Sequence, residues 1–291
     1  MRVSMKSQSL WNDTDVCREN NTKSNIFIYN EDCEKTVDRL IDEKKTVDVI
    51  LTSPPYGTSR RGCSENGRKQ HTARYDVYAE YENTQQYCDW VVGLFNKFNN
   101  VLSSNGVILW NVSYGTEDIG GVNETEWCCV ADIIRKTNFT VADRIVWKKK
   151  SALPNNSSTN KLTRVVEDVF VFCRKSEFGT FYANKSLTGF SKTGQQYYEV
   201  LYNYIEARNN DGSCILNKAT YSTELCTKLL NMYAKSGMTI YDPFMGTGTT
   251  ANACRQLSMN CIGSELSKPQ CEYAKERLEL NWIDDVTLSD V

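Results

Sequence analysis

The sequence predicts an α/β layered domain, and three observations carry that prediction. Short runs of β-branched and aromatic residues alternate with stretches of helical periodicity along most of the chain. One of the predicted strands runs into two consecutive prolines. Another runs into a loop with alternating glycines that is followed by a helix, which is where open α/β sheets bind ligands.

Taken in order, the elements alternate along the chain. The predicted strands cover residues 25–30, 47–52, 107–112, 141–147, 169–173, 238–241 and 260–264. The predicted helices cover residues 33–42, 87–102, 127–135, 222–235, 249–256 and 269–280. In the last helix Cys271, Ala274 and Leu278 fall at i, i+3 and i+7, which is typical of a stripe that faces a core.

Two regions do not follow this alternation. Residues 1–24 are polar and predict a loosely ordered N-terminal extension. Residues 176–217 hold many aromatic and polar side chains without a clear period. We interpret them as an insertion or small subdomain that lies outside the sheet.

The composition of the chain excludes several kinds of site. Its 291 residues contain a single histidine, His71, so a Ser-His-Asp triad would have to use that residue. The twelve cysteines include no Cys-x-x-Cys pair, which argues against a zinc ribbon, and no metal site is predicted. No apolar signal segment opens the chain, so we expect reduced, mostly buried cysteines in a cytoplasmic protein with no membrane span.

The net charge of −2 conceals an uneven distribution. Residues 58–74 carry five Arg/Lys and one Glu, and residues 144–175 carry eight Arg/Lys and two acids. The rest of the chain is therefore strongly acidic. The pattern suits a protein that meets an anion over part of its surface, although two solvated loops would give the same count.

The glycine-containing loop has the sequence Asp-Pro-Phe-Met-Gly-Thr-Gly at 242–248. Glycines let a backbone approach a ligand closely, and the following helix directs its amides at negative charge. Gly246, Gly248 and Ala251 match the G-x-G-x-x-A of nicotinamide-binding folds, whereas the lack of a Lys after the glycines excludes a Walker loop. The next strand ends at Glu265, which is placed to accept both hydroxyls of a ribose. These features predict an adenosine-containing ligand, with a tight turn as the alternative.

The prolines lie in Ser53-Pro54-Pro55-Tyr56, directly after the strand at 47–52. They fix φ and remove two amide donors, which predicts a rigid shelf with outward-facing carbonyls beside a flat ring. Such a shelf suits a planar base that carries an exocyclic amino group. A structural proline pair with a packed aromatic is the alternative.

Together, the Ser-Pro-Pro-Tyr motif and the downstream Asp-Pro-Phe-x-Gly-x-Gly-Thr motif resemble those of S-adenosylmethionine-dependent DNA methyltransferases that modify exocyclic amines. The Ser form of the tetrapeptide is most usual among cytosine N4 enzymes, and adenine N6 enzymes more often begin it with Asp or Asn. Because the glycine loop follows the proline motif by about 190 residues, the chain is similar to the permuted β class of that family.

The resemblance implies a Rossmann-like α/β fold. Its mixed sheet would have seven strands, with helices on both faces, a circularly permuted motif order and a small target-recognition insertion. Residues 25–175 would form the catalytic half of the methyltransferase domain, 176–217 the target-recognition region, and 218–291 the cofactor-binding half. The C-terminal strand would then lie beside the strand at 25–30. One departure is Tyr221-Ser222, where related enzymes often have Phe-Pro.

The resemblance also implies roles for individual residues. Ser53, Pro54, Pro55 and Tyr56 would hold the target amine. The cofactor S-adenosylmethionine would contact Asp32, Asp242, Pro243, Phe244, Gly246, Gly248, Thr249, Thr250 and Glu265. The phosphates of double-stranded DNA would contact Arg60, Arg61, Arg68, Lys69, Lys148, Lys149 and Lys150.

The predicted reaction is methylation of the N4 amine of cytosine in duplex DNA, with the base swung out of the helix. Adenine N6 methylation, RNA or protein methylation and a nicotinamide-dependent oxidoreductase stay open as alternatives. Cytosine C5 methylation is excluded because that family needs a Cys directly after a Pro, and none of the five prolines has one. The resemblance further suggests a nucleoid-associated protein of a restriction-modification system, with a homodimer and a cognate restriction endonuclease as further partners.

Overall fold

The computed structural model describes residues 16–18, 24–55, 84–112, 125–152, 154–157, 159–160, 162–212, 216, 220–279 and 281–283. The strands are β1 (Val16–Arg18), β2 (Ile26–Tyr29), β3 (Val47–Thr52), β4 (Leu102–Val112), β5 (Phe139–Lys149), β6 (Val166–Arg174), β7 (Leu187–Phe190), β8 (Gln196–Tyr198), β9 (Tyr204–Ala207), β10 (Thr239–Asp242), β11 (Asn260–Ser264) and β12 (Asn281–Ile283). The helices are α1 (Cys33–Asp42), α2 (Thr84–Val101), α3 (Thr125–Lys136), α4 (Thr223–Tyr233), α5 (Thr249–Gln256) and α6 (Lys268–Arg277), and a short 3-10 helix covers Lys175–Glu177.

Ten of these strands form one mixed sheet in the order β12-β1-β2-β11-β10-β3-β4-β6-β5-β9. The run from β2 through β11, β10 and β3 to β4 is parallel, and β6 is antiparallel to both β4 and β5. The seven strands predicted from the sequence are the seven contiguous central strands, β2 to β5 in sheet order. The parallel pairing of β11 with β2 also confirms that the C-terminal part of the chain closes onto the N-terminal strand.

Side chains that alternate along each strand divide the core into two layers. In β2, Ile26 and Ile28 belong to the cluster that packs against α4, α5 and α6. Phe27 and Tyr29 belong to the cluster that packs against α1, α2 and α3. Helices therefore cover both faces of the sheet, as predicted. The stripe of Cys271, Ala274 and Leu278 is fully buried in the first layer.

The structure corrects two predictions about the margins of the sheet. Within 176–217, β7 and β8 form a separate hairpin, but β9 pairs in parallel with β5 and so belongs to the main sheet. Within 1–24, β1 pairs with both β2 and β12. Both strands are short, with three residues in β1 and four in β9, which is too few to establish an alternation from the sequence.

The cysteines behave mostly as small core residues. Of the nine cysteines whose side chains the structure describes, eight are buried and Cys128 is exposed. Among the described helices, none is long and apolar enough to cross a membrane.

Candidate active site

Two motifs that lie far apart in the sequence meet at one edge of the sheet. β3 ends at Thr52 and leads into Ser53-Pro54-Pro55, and its neighbour β10 ends at Asp242 and leads into the glycine loop. The two strands are parallel, so their carboxyl ends point the same way. The site is therefore at the strand edge where open α/β sheets bind ligands.

The carboxylate of Asp242 is the centre of a buried hydrogen-bond cluster. One oxygen accepts from the Thr52 hydroxyl at 2.6 Å and from the Phe244 N–H at 3.0 Å. The other accepts from the Thr250 hydroxyl at 2.5 Å and from the Tyr221 hydroxyl at 3.1 Å. Burial raises the pKa of Asp242, and these donors oppose that shift. The structure thus gives Asp242 a task in fixing the loop, and its contact with a cofactor stays a prediction.

The glycine loop is shaped by Gly248, which precedes α5. Its φ of +80° lies in the left-handed region, and a Cβ at this position would lie 3.0 Å from the Cβ of Ala274 in α6. Only glycine combines this backbone conformation with so close an approach. Gly248 has no side chain to cap α5, so the first-turn amides of this helix receive no cap from that position.

Glu265 closes the loop from the neighbouring strand β11. Its two carboxylate oxygens accept from the N–H of Gly246 and from the N–H of Ser267, each at 2.8 Å. The side chain amide of Asn30, at the end of β2, donates to the carbonyls of Glu265 and Leu266. The ends of β2, β10 and β11 are therefore joined directly.

The predicted cofactor residues differ in how much surface they present. Pro243, Gly246, Thr249 and Thr250 are buried, and Thr249 accepts from Arg277. Asp32, Phe244 and Glu265 are half-buried. Asp32 also caps α1, because its side chain accepts from the N–H of Glu34 at 2.8 Å. Leu266, which sequence reasoning missed, is 45% exposed beside Glu265.

On the shelf formed by Ser53-Pro54-Pro55, Ser53 and Pro55 are half-buried and Pro54 is buried. The hydroxyl of Tyr87 in α2 donates to the Pro55 carbonyl at 2.7 Å. The sequence predicts outward-facing carbonyls, but this hydrogen bond already engages the carbonyl of Pro55. Tyr56 lies outside the described residues.

Aromatic rings on α2 connect the shelf to the glycine loop. The ring centroid of Trp90 lies 5.7 Å from that of Tyr87 and 5.8 Å from that of Phe244. The Trp90 indole N–H donates to Glu34 in α1 at 3.2 Å. Sequence reasoning missed Tyr87 and Trp90, which read as ordinary core positions of an amphipathic helix.

Tyr221 and Ser222, where the chain departs from the Phe-Pro of related enzymes, both have defined structural tasks. The Tyr221 hydroxyl bonds to Asp242 and, at 2.7 Å, to the hydroxyl of Thr250. The Ser222 hydroxyl caps α4 by accepting from the N–H of Leu225 and donates to the Arg208 carbonyl. Tyr221 and Ser222 therefore make polar contacts behind the glycine loop that a Phe-Pro pair could not make.

The basic residues predicted to contact DNA fall into two groups. Lys148, Lys149 and Lys150 lie at the end of β5, and each forms an ion pair within the chain, with Glu206, Glu167 and Glu224 respectively. The side chains of Lys148 and Lys150 are nearly half exposed. Arg60, Arg61, Arg68 and Lys69 lie outside the described residues, and the DNA contacts of both groups stay predictions.

Comparison with known proteins identifies the family. The model of the N6/N4 DNA methylase family matches residues 47–276, which include both motifs and the strands between them. The chain belongs to the DNA methylase family. This membership confirms the resemblance to S-adenosylmethionine-dependent amino-methyltransferases that the two motifs predicted.

Several curated relatives of this DNA methylase are Type II methyltransferases. M.BglII of Bacillus subtilis is 23% identical over 268 residues, covering 86% of this chain and 68% of the relative. M.SmaI of Serratia marcescens is 22% identical over 306 residues, covering 96% and 99%. M2.DpnII of Streptococcus pneumoniae is 23% identical over 262 residues, covering 88% and 91%.

Solved structures confirm the fold of the DNA methylase. The cytosine-N4-specific PvuII DNA methyltransferase superposes with a TM-score of 0.64 at 18% identity, covering 88% of this chain and 87% of the other. M1.HpyAVI in complex with SAM superposes with a TM-score of 0.55 at 21% identity, covering 87% and 98%. The predicted Rossmann-like methyltransferase sheet is thereby confirmed.

Proposed function

We propose that this DNA methylase transfers a methyl group from S-adenosylmethionine to the N4 amine of cytosine at specific sites in duplex DNA. The observation that carries the proposal is the position of Ser53. Its half-buried hydroxyl follows directly after Thr52, which is bonded to Asp242 at the root of the glycine loop. A serine in this place is the form most usual among the cytosine N4 enzymes that the motif resembles, and PvuII methyltransferase, which shares the fold, is cytosine-N4-specific.

The residues around the glycine loop fit the cofactor by their chemistry. The half-buried carboxylate of Glu265 can accept from ribose hydroxyls, and the half-buried carboxylate of Asp32 can accept from an adenine amine. The ring of Phe244 and the exposed side chain of Leu266 offer apolar surface to a purine. When bound, S-adenosylmethionine supplies a methyl group on a positively charged sulfur.

The shelf holds the amine that receives the methyl group. The Ser53 hydroxyl and the Pro54 carbonyl accept its hydrogens and so draw its lone pair out of conjugation with the ring. Alignment of the amine with the methyl group supplies most of the rate, because the methyl donor is already strongly electrophilic. The base reaches the shelf by leaving the duplex, at a cost of a few kcal/mol, and Tyr56 stacks on it.

The basic residues orient the duplex through its phosphates. Lys148 and Lys150 support this role. Both lie at the carboxyl end of β5, at the same edge of the sheet as Ser53, and their side chains are partly exposed. Arg60 and Arg61 follow the shelf in the chain. Neutralising Arg60 and Arg61 should weaken DNA binding and flatten its salt dependence; an unchanged slope of log Kd against log salt would contradict their contact with phosphate.

The names of the relatives favour a restriction-modification setting. M.BglII, M.SmaI and M2.DpnII are Type II methyltransferases, so a cognate endonuclease is the expected companion of this enzyme. We place target recognition in residues 176–217, whose hairpin of β7 and β8 exposes Phe190, Tyr197 and Tyr198. A homodimer, which the resemblance suggested, is tested by sedimentation of the protein with and without DNA.

Nucleoside mass spectrometry tests the proposed reaction. The purified enzyme is incubated with unmethylated genomic DNA and S-adenosylmethionine, and the DNA is digested to nucleosides, with Ser53→Ala as the control. We expect N4-methylcytosine from the wild type and a strongly reduced yield from the variant. N6-methyladenine would overturn the assignment of the base. Methyl transfer to RNA or protein alone would overturn the substrate, and no transfer at all would overturn the activity.

A further inference from the structure

A series of hydrogen-bonded polar side chains runs from Ser53, directly after β3, across the three adjacent strands β4, β6 and β5. The side chain nitrogen of Asn111 in β4 lies 3.3 Å from the Ser53 hydroxyl and 3.2 Å from one oxygen of Glu167 in β6. The other oxygen of Glu167 lies 2.5 Å from the amine of Lys149 in β5. The link therefore runs from the shelf across β4 and β6 to β5, which are consecutive in the sheet.

The polar side chains of this series are shielded from water. Asn111 is 2% exposed and Glu167 is 7% exposed, and the side chain of Lys149 is 24% exposed. A buried carboxylate is costly unless it is paired and hydrogen-bonded. Lys149 is the charged partner of Glu167, and Asn111 donates a hydrogen bond to it. The register of β6 between β4 and β5 holds all three side chains in place.

Glu167 determines which way the Asn111 amide faces. An ionised carboxylate only accepts hydrogen bonds, so Asn111 must direct its NH₂ group, and not its carbonyl, towards Glu167. The second hydrogen of that NH₂ group then points at the Ser53 oxygen. The reversed amide would bring its carbonyl against the carboxylate.

This orientation places a hydrogen-bond donor against the Ser53 hydroxyl. The Ser53 oxygen accepts from the Asn111 amide at 3.3 Å. The amide fixes the oxygen at the point where the amine of the substrate must be held.

We propose that Asn111 is a positioning residue for methyl transfer, locked by Glu167 and Lys149, and that it acts through Ser53. The inference rests on the proposed function, since it concerns the same shelf. It also gives Lys149 a task other than the phosphate contact predicted from the sequence. The stretch that begins at Glu167 resembles the late strands of the family, but the sequence assigned no role in the site to Asn111 or Glu167.

A double-mutant cycle tests whether Asn111 acts through Ser53. Single-turnover rates of methyl transfer to DNA are measured for the wild type, Asn111→Ala, Ser53→Ala and the double variant. We expect Asn111→Ala to lower the rate about tenfold or more, and the double variant to be no slower than Ser53→Ala alone. Multiplicative losses in the double variant would overturn the inference, because they would show that the two residues act independently.

Glu167→Gln provides a second variant of nearly the same shape, in case Asn111→Ala does not fold. The new amide can donate to Asn111 and thereby release its locked orientation, so we expect a comparable fall in the rate. The Kd for S-adenosylmethionine should stay near the wild-type value, while the loss of the charge partner of Lys149 should lower the Tm modestly. Glu177→Gln, which removes an ion pair with Arg174 at the other end of β6, is the matched control and should keep the full rate.

The outcomes separate this inference from the proposed function. If the wild type methylates cytosine and both variants keep its rate, the positioning role is wrong and the function stands. If both variants lose Tm and cofactor affinity in step with the rate, the residues only support the fold, and the inference is also wrong. If the wild type methylates no DNA, the proposed function itself fails, and the inference fails with it.

Discussion

The hydroxyl of Thr52 donates a 2.6 Å hydrogen bond to the buried carboxylate of Asp242. The two residues are the last of β3 and β10, and 190 positions separate them in the chain. The next residue after Thr52 opens the shelf, and the residues after Asp242 form the glycine loop. Together with the parallel pairing of the two strands, this contact ties the start of the shelf to the start of the glycine loop.

Replacement of Asp242 should show how much the cluster around it contributes. Asp242→Ala leaves the donors of Thr52, Tyr221, Thr250 and the Phe244 N–H without their acceptor. We expect a loss of about 3–5 kcal/mol in the free energy of unfolding. Asp242→Asn keeps one acceptor oxygen, and the hydroxyls can turn to its amide, so about 1–2 kcal/mol is expected. Urea unfolding measures both losses. Equal losses would contradict the expectation that the oxygen kept in Asp242→Asn still accepts hydrogen bonds from the surrounding donors.

Alanine at Gly248 should destabilise the protein and weaken cofactor binding. The φ of +80° is strained for alanine, and its Cβ would lie 3.0 Å from Ala274, so we expect a loss of about 1–3 kcal/mol. Gly93 in α2 is the matched control, because a Cβ there meets nothing within 4 Å. Gly93→Ala should instead stabilise the protein by about 0.5–1 kcal/mol. Thermal unfolding and calorimetric titration with S-adenosylmethionine measure the effects; similar behaviour of the two variants would be inconsistent with the loop geometry.

Tyr87→Phe should reduce methyl transfer without affecting cofactor affinity. The variant keeps the ring beside Trp90 but loses the hydrogen bond to the Pro55 carbonyl, which costs about 1 kcal/mol of stability. A small displacement of the shelf misaligns the amine, so we expect a rate roughly five- to tenfold lower. Tyr182→Phe, which removes a surface hydrogen bond to Asn184, is the control. A wild-type single-turnover rate for Tyr87→Phe would show that the hydroxyl does not position the shelf.

The stability of the fold should depend on pH through Glu224, at the start of α4. Its contact with Lys150, helped by the Arg208 N–H and by Lys228, lowers the pKa of Glu224 from 4.5 to about 2. Because the folded pKa lies below the unfolded one, the ionised carboxylate stabilises the protein at neutral pH. That contribution is lost as the pH falls from about 5 towards 2.

Glu224→Gln should accordingly be less stable than the wild type at pH 7, by about 1 kcal/mol, because the lysine partners are nearly half exposed to solvent. The difference should shrink as the pH is lowered towards 2. Urea unfolding of both proteins across this range measures it. A difference that stays constant with pH would rule out the ionised carboxylate as its source.

The centre of the fold was predictable from the sequence because its strands are apolar and end in recognisable motifs. The bounds of β3, β11, α1 and α5 agree with the prediction. β4 begins at Leu102 instead of residue 107, since polar residues and Gly106 precede the apolar run and the pairing with β3 is irregular there. β6 begins at Val166 instead of residue 169.

The early start of β6 shows why part of the site escaped prediction. Glu167 and Asp168 have the composition of a loop, yet both are buried in the strand and pair with Lys149 and Arg144. Such pairing joins residues on different strands, and local sequence carries no trace of it. The same holds for Tyr87 and Pro55, whose contact depends on how α2 packs.

The adjacency of β3 and β10 also affects how the chain is made. At a translation rate of roughly 5–20 residues per second, β10 leaves the ribosome about 10–40 s after β3. β4 follows β3 soon after in the chain, but the other side of this apolar strand stays open until β10 arrives. A nascent chain in that interval exposes an unpaired strand edge, the kind of surface that aggregates or recruits chaperones. The contact between Thr52 and Asp242 can therefore form only after most of the chain has been synthesised.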